Sequence, residues 1–267
     1  MKPQDVREHL EKAHKEPAGS IEPEIAAAAP AAAPASAEAL RDERIYRNIS
    51  SSYFRLRRGM AVLAFAFPIA LLLGAGIDEV QKSISAYYHF RGEGPPAYGG
   101  GTMRNVFVGV LWAIGTFLYF YRGYSPREDV VLDIAGFAAV GISLFPMDWP
   151  PQPDVARTLT GTIHFVSAVT FFLAIAYVCL FCSGETLSIL ADQEQKRRFK
   201  RSYALLGTLM IAIPATVLLI HLLSPRPERS LAVLLVEIAG IYVFSAFWWV
   251  KSREMRLIER QVAPAKE

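Results

Sequence analysis

The chain has 267 residues, of which 52 % are apolar, and a net charge of only +3. Its charges gather between long apolar stretches, which excludes a water-soluble core as the main architecture and predicts a membrane-embedded bundle. The basic residues lie in short clusters beside those stretches, so they read as topology signals and exclude a nucleic-acid surface; two cysteines exclude a disulfide framework.

Residues 1–44 form the first segment. Its tract IAAAAPAAAPASA (25–37) repeats proline and lacks large apolar residues, so a disordered cytoplasmic tail is expected. The first apolar run starts only near Gly59, too far from Met1 for a cleaved secretory signal.

Six apolar runs follow, at about 59–77, 105–121, 130–147, 159–182, 203–223 and 230–250. Each is close to the roughly 20 residues needed to cross a hydrocarbon core about 30 Å thick. Backbone groups in lipid must pair within their own segment, so the runs are helices, and the alternating ten-residue segments of a barrel are absent. The predicted fold class is all-α: a polytopic bundle of six transmembrane helices over residues 45–255, with a short cytoplasmic tail at 256–267. With both termini in the cytoplasm, the inner flanks hold the dense clusters around Arg57, Arg122, Lys196–Arg201 and Lys251–Arg260. The outer flanks hold scattered cations such as Lys82, Arg104 and Arg157. That bias predicts a multi-pass protein of the cell inner membrane.

Small residues predict the helix seams. Asn105, Gly109 and Ala113 share one face of the second helix, and Ala135 and Ala139 one face of the third, with Gly136 and Gly141 nearby. The pair Cys179 and Cys182 stands on an apolar helix, where burial is the ordinary state of a cysteine.

Ionisable residues inside a span are costly and usually face the bundle interior. His164 stands about six residues into the fourth helix and Glu237 about seven into the sixth, both counted from outside. At 1.5 Å per residue both lie roughly 9–10 Å below the outer boundary. His221 is near the outer end of the fifth helix, and Asp148 follows LFPM at the outer end of the third. The stretch SISAYYHF (83–90) joins them: if it is helical, Ser85 and His89 share a face at i, i+4.

This outer constellation has the chemistry of a hydrolytic site. His89, His164 and His221 are candidate ligands for zinc, whose bound water is nucleophilic near neutral pH. Ser85 is placed to stabilise an oxyanion, and Asp148 or Glu237 to act as general base. Other readings compete at each position. Tyr87, Tyr88 and His89 suit an interfacial aromatic collar, His164 and Glu237 a buried pair that fixes helix register, and Asp148 a solvated loop acid.

The sequences SISAYYH, RNVFVGVLWAIGTFLYFYRGYSPREDVVLDIAGFAAVGISLFPM and IHFVSAVTFFLAIAYVCLFC resemble an uncharacterised family of bacterial integral membrane proteins, over roughly residues 45–255. A more distant likeness is to the superfamily of alkaline ceramidases and adiponectin/progestin receptors, which resemble seven-helix intramembrane metal hydrolases. Ser85 and His89 match that superfamily's Ser-x-x-x-His, and its aspartate corresponds to Asp148, with Asn105 as the other place for it. The superfamily's carboxy-terminal His-x-x-x-His has no counterpart here. The expected function is therefore an outer-leaflet polar site that binds and hydrolyses a lipid-like amide or ester with metal assistance, its partner being membrane lipid. The alternatives are a non-enzymatic sensor or partner subunit and, third, a small-solute transporter.

Overall fold

The computed structural model describes residues 37–90, 101–150, 156–223 and 231–262. The chain divides into a small amino-terminal unit, Met1–Ile45, and a compact unit, Tyr46–Glu267. The expected disordered tail lies outside the described residues as far as position 36.

The described residues form six long helices and no strand. They are α1 (Ala37–Ala75), α2 (Thr102–Phe120), α3 (Pro126–Leu144), α4 (Leu159–Tyr177), α6 (Gln193–Leu223) and α7 (Ala232–Val262). Between α4 and α6 the chain passes through a π-helical turn, Val178–Cys182, and a short helix α5 (Ser183–Leu187). Five of these segments are long and apolar enough to cross a membrane: those of α1, α2, α4 with its continuation, α6 and α7. Helix α3 is the exception by composition, since Arg127, Glu128, Asp129 and Asp133 occupy its first turns. Large apolar side chains cover the outside, with Leu73, Phe120, Phe137, Leu159, Phe181 and Leu222 each at least 67 % exposed. So much outward apolar surface is stable only against lipid, which makes this a multi-pass membrane protein.

Helices α1, α6 and α7 run well beyond their apolar runs at one end of the bundle, called here the base. The extensions of α6 and α7, QEQKRRFKR and KSREMRLIERQ, are rich in strong helix formers, so the backbone ladder continues past the hydrophobic boundary. Two stretches expected as tail, 37–44 and 256–262, are therefore helical. The opposite end, where the chain leaves α1 and α3 and enters α2 and α4, is called the mouth.

Helix α7 lies at the centre. Its Phe244, Phe247 and Trp248 are each 1 % exposed. They meet Phe171 of α4, Tyr203 of α6 and Tyr121 at the end of α2, at centroid separations of 5.2, 6.0 and 5.0 Å. Ser245 Oγ donates to the carbonyl of Ala61 in α1 at 2.7 Å. The expected α2–α3 seam is half right. A Cβ on Gly136 would stand 2.7 Å from the Gly115 carbonyl oxygen, and one on Gly115 equally close to the Gly136 carbonyl. Ala135 and Ala139 are fully buried beside them. The Asn105–Gly109 face instead points outward, and nothing lies within 4 Å of a Cβ built on Gly109. The apolar stripe of α2 runs through Phe107, Leu111, Ile114 and Leu118, and Gly115 belongs to that stripe whereas Gly109 does not.

Candidate functional site at the mouth

After α1 the chain turns across the mouth in two 3₁₀ turns, Ile77–Glu79 and Ser85–Tyr88. The expected α-helix over 80–90 is thus replaced by tighter turns, closed by Ala86 N–H to the Ser83 carbonyl and Tyr87 N–H to the Ile84 carbonyl. The stretch does not rest at the lipid surface as a collar. Tyr87 is 0 % exposed and its hydroxyl accepts from the Gln81 backbone N–H. Tyr88 packs edge-on against Phe107 of α2, with the Arg104 guanidinium over its ring.

Two helices grip this turn from different sides. Glu237 of α7 accepts from the Ser83 hydroxyl through Oε2 at 2.8 Å and Oε1 at 3.0 Å, and from the Ile84 N–H at 2.6 Å. Ser83 Oγ in turn accepts from the Ser85 N–H at 3.1 Å. His164 of α4 lies 3.0 Å from Ser85 Oγ through its Nε2. His164 and Glu237, which the sequence also allows as a buried pair that fixes helix register, each bind the 83–85 turn and are not hydrogen-bonded to one another.

The carboxy-terminal end of α3 and the loop after it hold both histidines. The last carbonyls of a helix have no partner inside it. His164 Nδ1 lies 2.8 Å from the Phe145 carbonyl and 3.1 Å from that of Ile142, and His89 Nε2 lies 2.8 Å from the Met147 carbonyl. A carbonyl oxygen only accepts, so these nitrogens carry the protons. In His164 this leaves Nε2 as the lone-pair nitrogen of a neutral ring, and the Ser85 hydroxyl donates to it.

Asp148 serves a different helix end. Its carboxylate accepts from the Thr158 hydroxyl at 2.6 Å and the Thr158 N–H at 3.1 Å, while Thr158 Oγ accepts from the Gly161 N–H and caps α4. A Cβ on Gly161 would lie 2.2 Å from that carboxylate, so any larger residue at 161 would push Asp148 off its cap on Thr158. His221 stands on the last turn of α6, and its side chain lies outside the described residues.

The described members of the expected zinc set, His89 and His164, are not assembled as a metal site; His221 lies outside the described side chains. Among the described residues no three His, Cys, Asp or Glu side chains gather as a metal-binding group. His164 has both ring nitrogens engaged, Nδ1 by the carbonyls of Ile142 and Phe145 and Nε2 by the Ser85 hydroxyl; His89 donates through Nε2 to the Met147 carbonyl, and the carboxylates of Asp148 and Glu237 are engaged by Thr158 and by the 83–84 turn. Ser85 and His89 likewise do not act together, because one meets His164 and the other Met147.

A family described as "Protein of unknown function (DUF998)" matches residues 58–250. The chain belongs to the DUF998 family. No curated protein and no solved structure matches it, so neither comparison brings in an alkaline ceramidase or an adiponectin/progestin receptor. The matched span of this DUF998 chain contains the whole mouth constellation, from Ser83 to Glu237.

The base of this DUF998 protein holds a second polar cluster, centred on Lys251, a residue the sequence presents as one more inner-flank cation. Lys251 is 1 % exposed and Glu254 is 0 % exposed. Lys251 Nζ donates to Thr186 Oγ1 at 2.8 Å and lies 3.5 Å from Glu254 Oε2. Tyr203 donates its hydroxyl to the same carboxylate oxygen at 2.5 Å. The ammonium also sits 5.2 Å from the Tyr124 ring centroid. Nearby, buried Arg57 points its guanidinium at the Tyr121 hydroxyl at 3.4 Å. Buried Glu128 accepts from the Tyr124 N–H at 2.9 Å. The available signal was a Lys and a Glu at i, i+3 directly after the aromatic pair Trp248–Trp249, on a helix that continues.

Proposed function

We propose that the mouth is a serine–histidine site that binds a lipid-like ester or amide and hydrolyses it. The supporting observation is the Ser85–His164 hydrogen bond at 3.0 Å, with the far side of the imidazole held by two backbone carbonyls. That is the arrangement of an activated nucleophile: hydroxyl, base, and a third group that fixes the base's tautomer. Ser85 is partly exposed whereas His164 is 7 % exposed, so a substrate approaches from the side of the serine.

In this reading Ser85 Oγ attacks the acyl carbon while its proton passes to His164 Nε2. The imidazolium returns that proton to the departing alcohol or amine, leaving an acyl-serine. His164 then takes a proton from water, whose hydroxide attacks the acyl carbon, and returns it to Ser85 Oγ as the free acid leaves. Glu237 positions the nucleophile through the Ser83 and Ile84 contacts and does not act as general base.

A fluorophosphonate probe tests this on the detergent-purified full chain. Covalent labelling at Ser85 is expected, with loss in Ser85→Ala and a fall of at least about 100-fold in labelling rate in His164→Gln, the size of general-base effects. No labelling of the wild type, or labelling that survives Ser85→Ala, defeats the hydrolase. The Glu237–Ser83–Ile84 contacts favour a second reading, in which the turn is a non-catalytic plug of a sensor or partner subunit, and that reading would then stand.

We further propose that the protein lies in the cell inner membrane with both termini in the cytoplasm, from the bias of Lys and Arg toward the base. A fluorescent protein that matures only in the cytoplasm, fused after Glu267, is expected to fluoresce. A dark, membrane-inserted fusion reverses the orientation.

A further inference from the structure

A cavity of about 340 Å³ opens at the base, between the π turn with α5 on one side and the start of α6 on the other. That volume lies in the range of small-ligand sites. Its two walls differ in character. On α6, Lys196, Lys200 and Ala204 follow one another at i, i+4 spacing and line it; on the other wall are Gly184 and Ser188. Nothing lies within 4 Å of a Cβ built on Gly184, so that wall is open. The floor is closed where α6 meets the π turn, since a Cβ on Gly207 would stand 2.6 Å from Leu180 Cγ.

The charges in this cavity have one sign. Lys196 and Lys200 have no acidic partner among the described residues, and the nearest acid on their helix, Glu194, is paired with Arg198 at 3.0 Å. The two lining hydroxyls are already committed as donors, Ser183 to the Cys179 carbonyl at 2.8 Å and Ser188 to the Glu185 carbonyl at 2.6 Å. The free donors facing the space are therefore two ammoniums one helical turn apart, which repel each other until an anion lies between them. Beside them the lining turns apolar: Leu180 is 36 % exposed and Phe181 67 % exposed.

We propose that this cavity binds the phosphate headgroup of an anionic phospholipid, with the phosphate between Lys196 and Lys200 and the acyl chains along Leu180 and Phe181. A charged slot that opens directly onto an apolar, lipid-facing surface suits an amphiphile, as basic pockets between transmembrane helices do elsewhere. The π turn displaces the end of α4 from a regular helix and so presents Gly184 and Ser188 toward α6.

Native mass spectrometry of the full chain in detergent, titrated with phosphatidylglycerol, tests this. One retained phosphatidylglycerol per chain is expected, in preference to phosphatidylcholine. Lys196→Gln/Lys200→Gln weakens it about 30-fold, from about 1 kcal/mol per cation near an anionic lipid surface. Gly184→Leu fills the slot and removes binding with no change in charge. Arg197→Gln/Arg201→Gln, just outside the cavity, keeps affinity within about 3-fold, each lost cation there counting for less than in the slot. The proposal fails if either cavity variant binds like wild type, if the Arg197/Arg201 variant loses as much as the lysine variant, or if phosphatidylcholine competes equally. Displacement of the lipid by millimolar inorganic phosphate would reassign the slot to a free anion and overturn it as well.

Discussion

Glu237→Ala is expected to release the turn across the mouth and to destabilise the protein by about 3 kcal/mol, because two buried donors lose a charged acceptor. Ser83 is 3 % exposed and Ile84 4 % exposed, so water does not readily replace the lost carboxylate. For a domain of this size that corresponds to a fall of roughly 6–12 °C in unfolding midpoint, read in detergent. Trypsin offers a local readout, since Lys82 immediately precedes the gripped turn and should become a cleavage site. Glu237→Gln keeps one accepting oxygen and should fall about halfway. A Glu237→Ala protein that melts within about 1 °C of wild type and stays intact at Lys82 would remove the turn's dependence on α7.

Lys251→Met is expected to be costlier still, about 3–5 kcal/mol, because it strands the Glu254 carboxylate without a cation in a site closed to water. Glu254→Leu alone should strand the ammonium in the same way. Removing both together is expected to recover most of the loss, since an apolar pair of similar volume suits the aromatic surroundings of Tyr203, Phe247 and Trp248. A double-mutant cycle on the unfolding midpoints measures this coupling. Additive single effects, or a Lys251→Met protein as stable as wild type, would mean that the ion pair is incidental to the fold.

Much of the architecture is legible in the sequence because lipid imposes a length. Twenty apolar residues read as a span without knowledge of any partner, and the six runs correspond to the six long helices. That His164 and Glu237 stand toward the same end of the bundle is legible for the same reason, since rise per residue is fixed. Their partners are not. Both side chains bind the 83–85 turn, whose path across the mouth is decided by the burial of Tyr87 and by the unpaired carbonyls of α3, neither of which has a sequence signature. The spacing of Ser85 and His89 suggests a shared helical face, yet the segment is tied in 3₁₀ turns, and Ser85 finds its histidine on α4. At the base, a rule that treats flanking cations as topology markers passes over Lys251, whose burial depends on Thr186 and Tyr203 arriving from two other helices. The Gly109 seam failed for a plainer reason: small residues permit close packing, but the large apolar stripe decides which face turns inward.

The grip on the mouth also has a temporal side. Ser83 and Glu237 are 154 residues apart in sequence, while Ser85 and His164 are 79 apart. A ribosome delivers these partners in order, so the histidine can engage the turn while α6 and α7 are still unmade. The carboxylate comes on the final helix. Chain order alone therefore makes the histidine contact available before the carboxylate contact, and the second grip on the turn waits for the last helix.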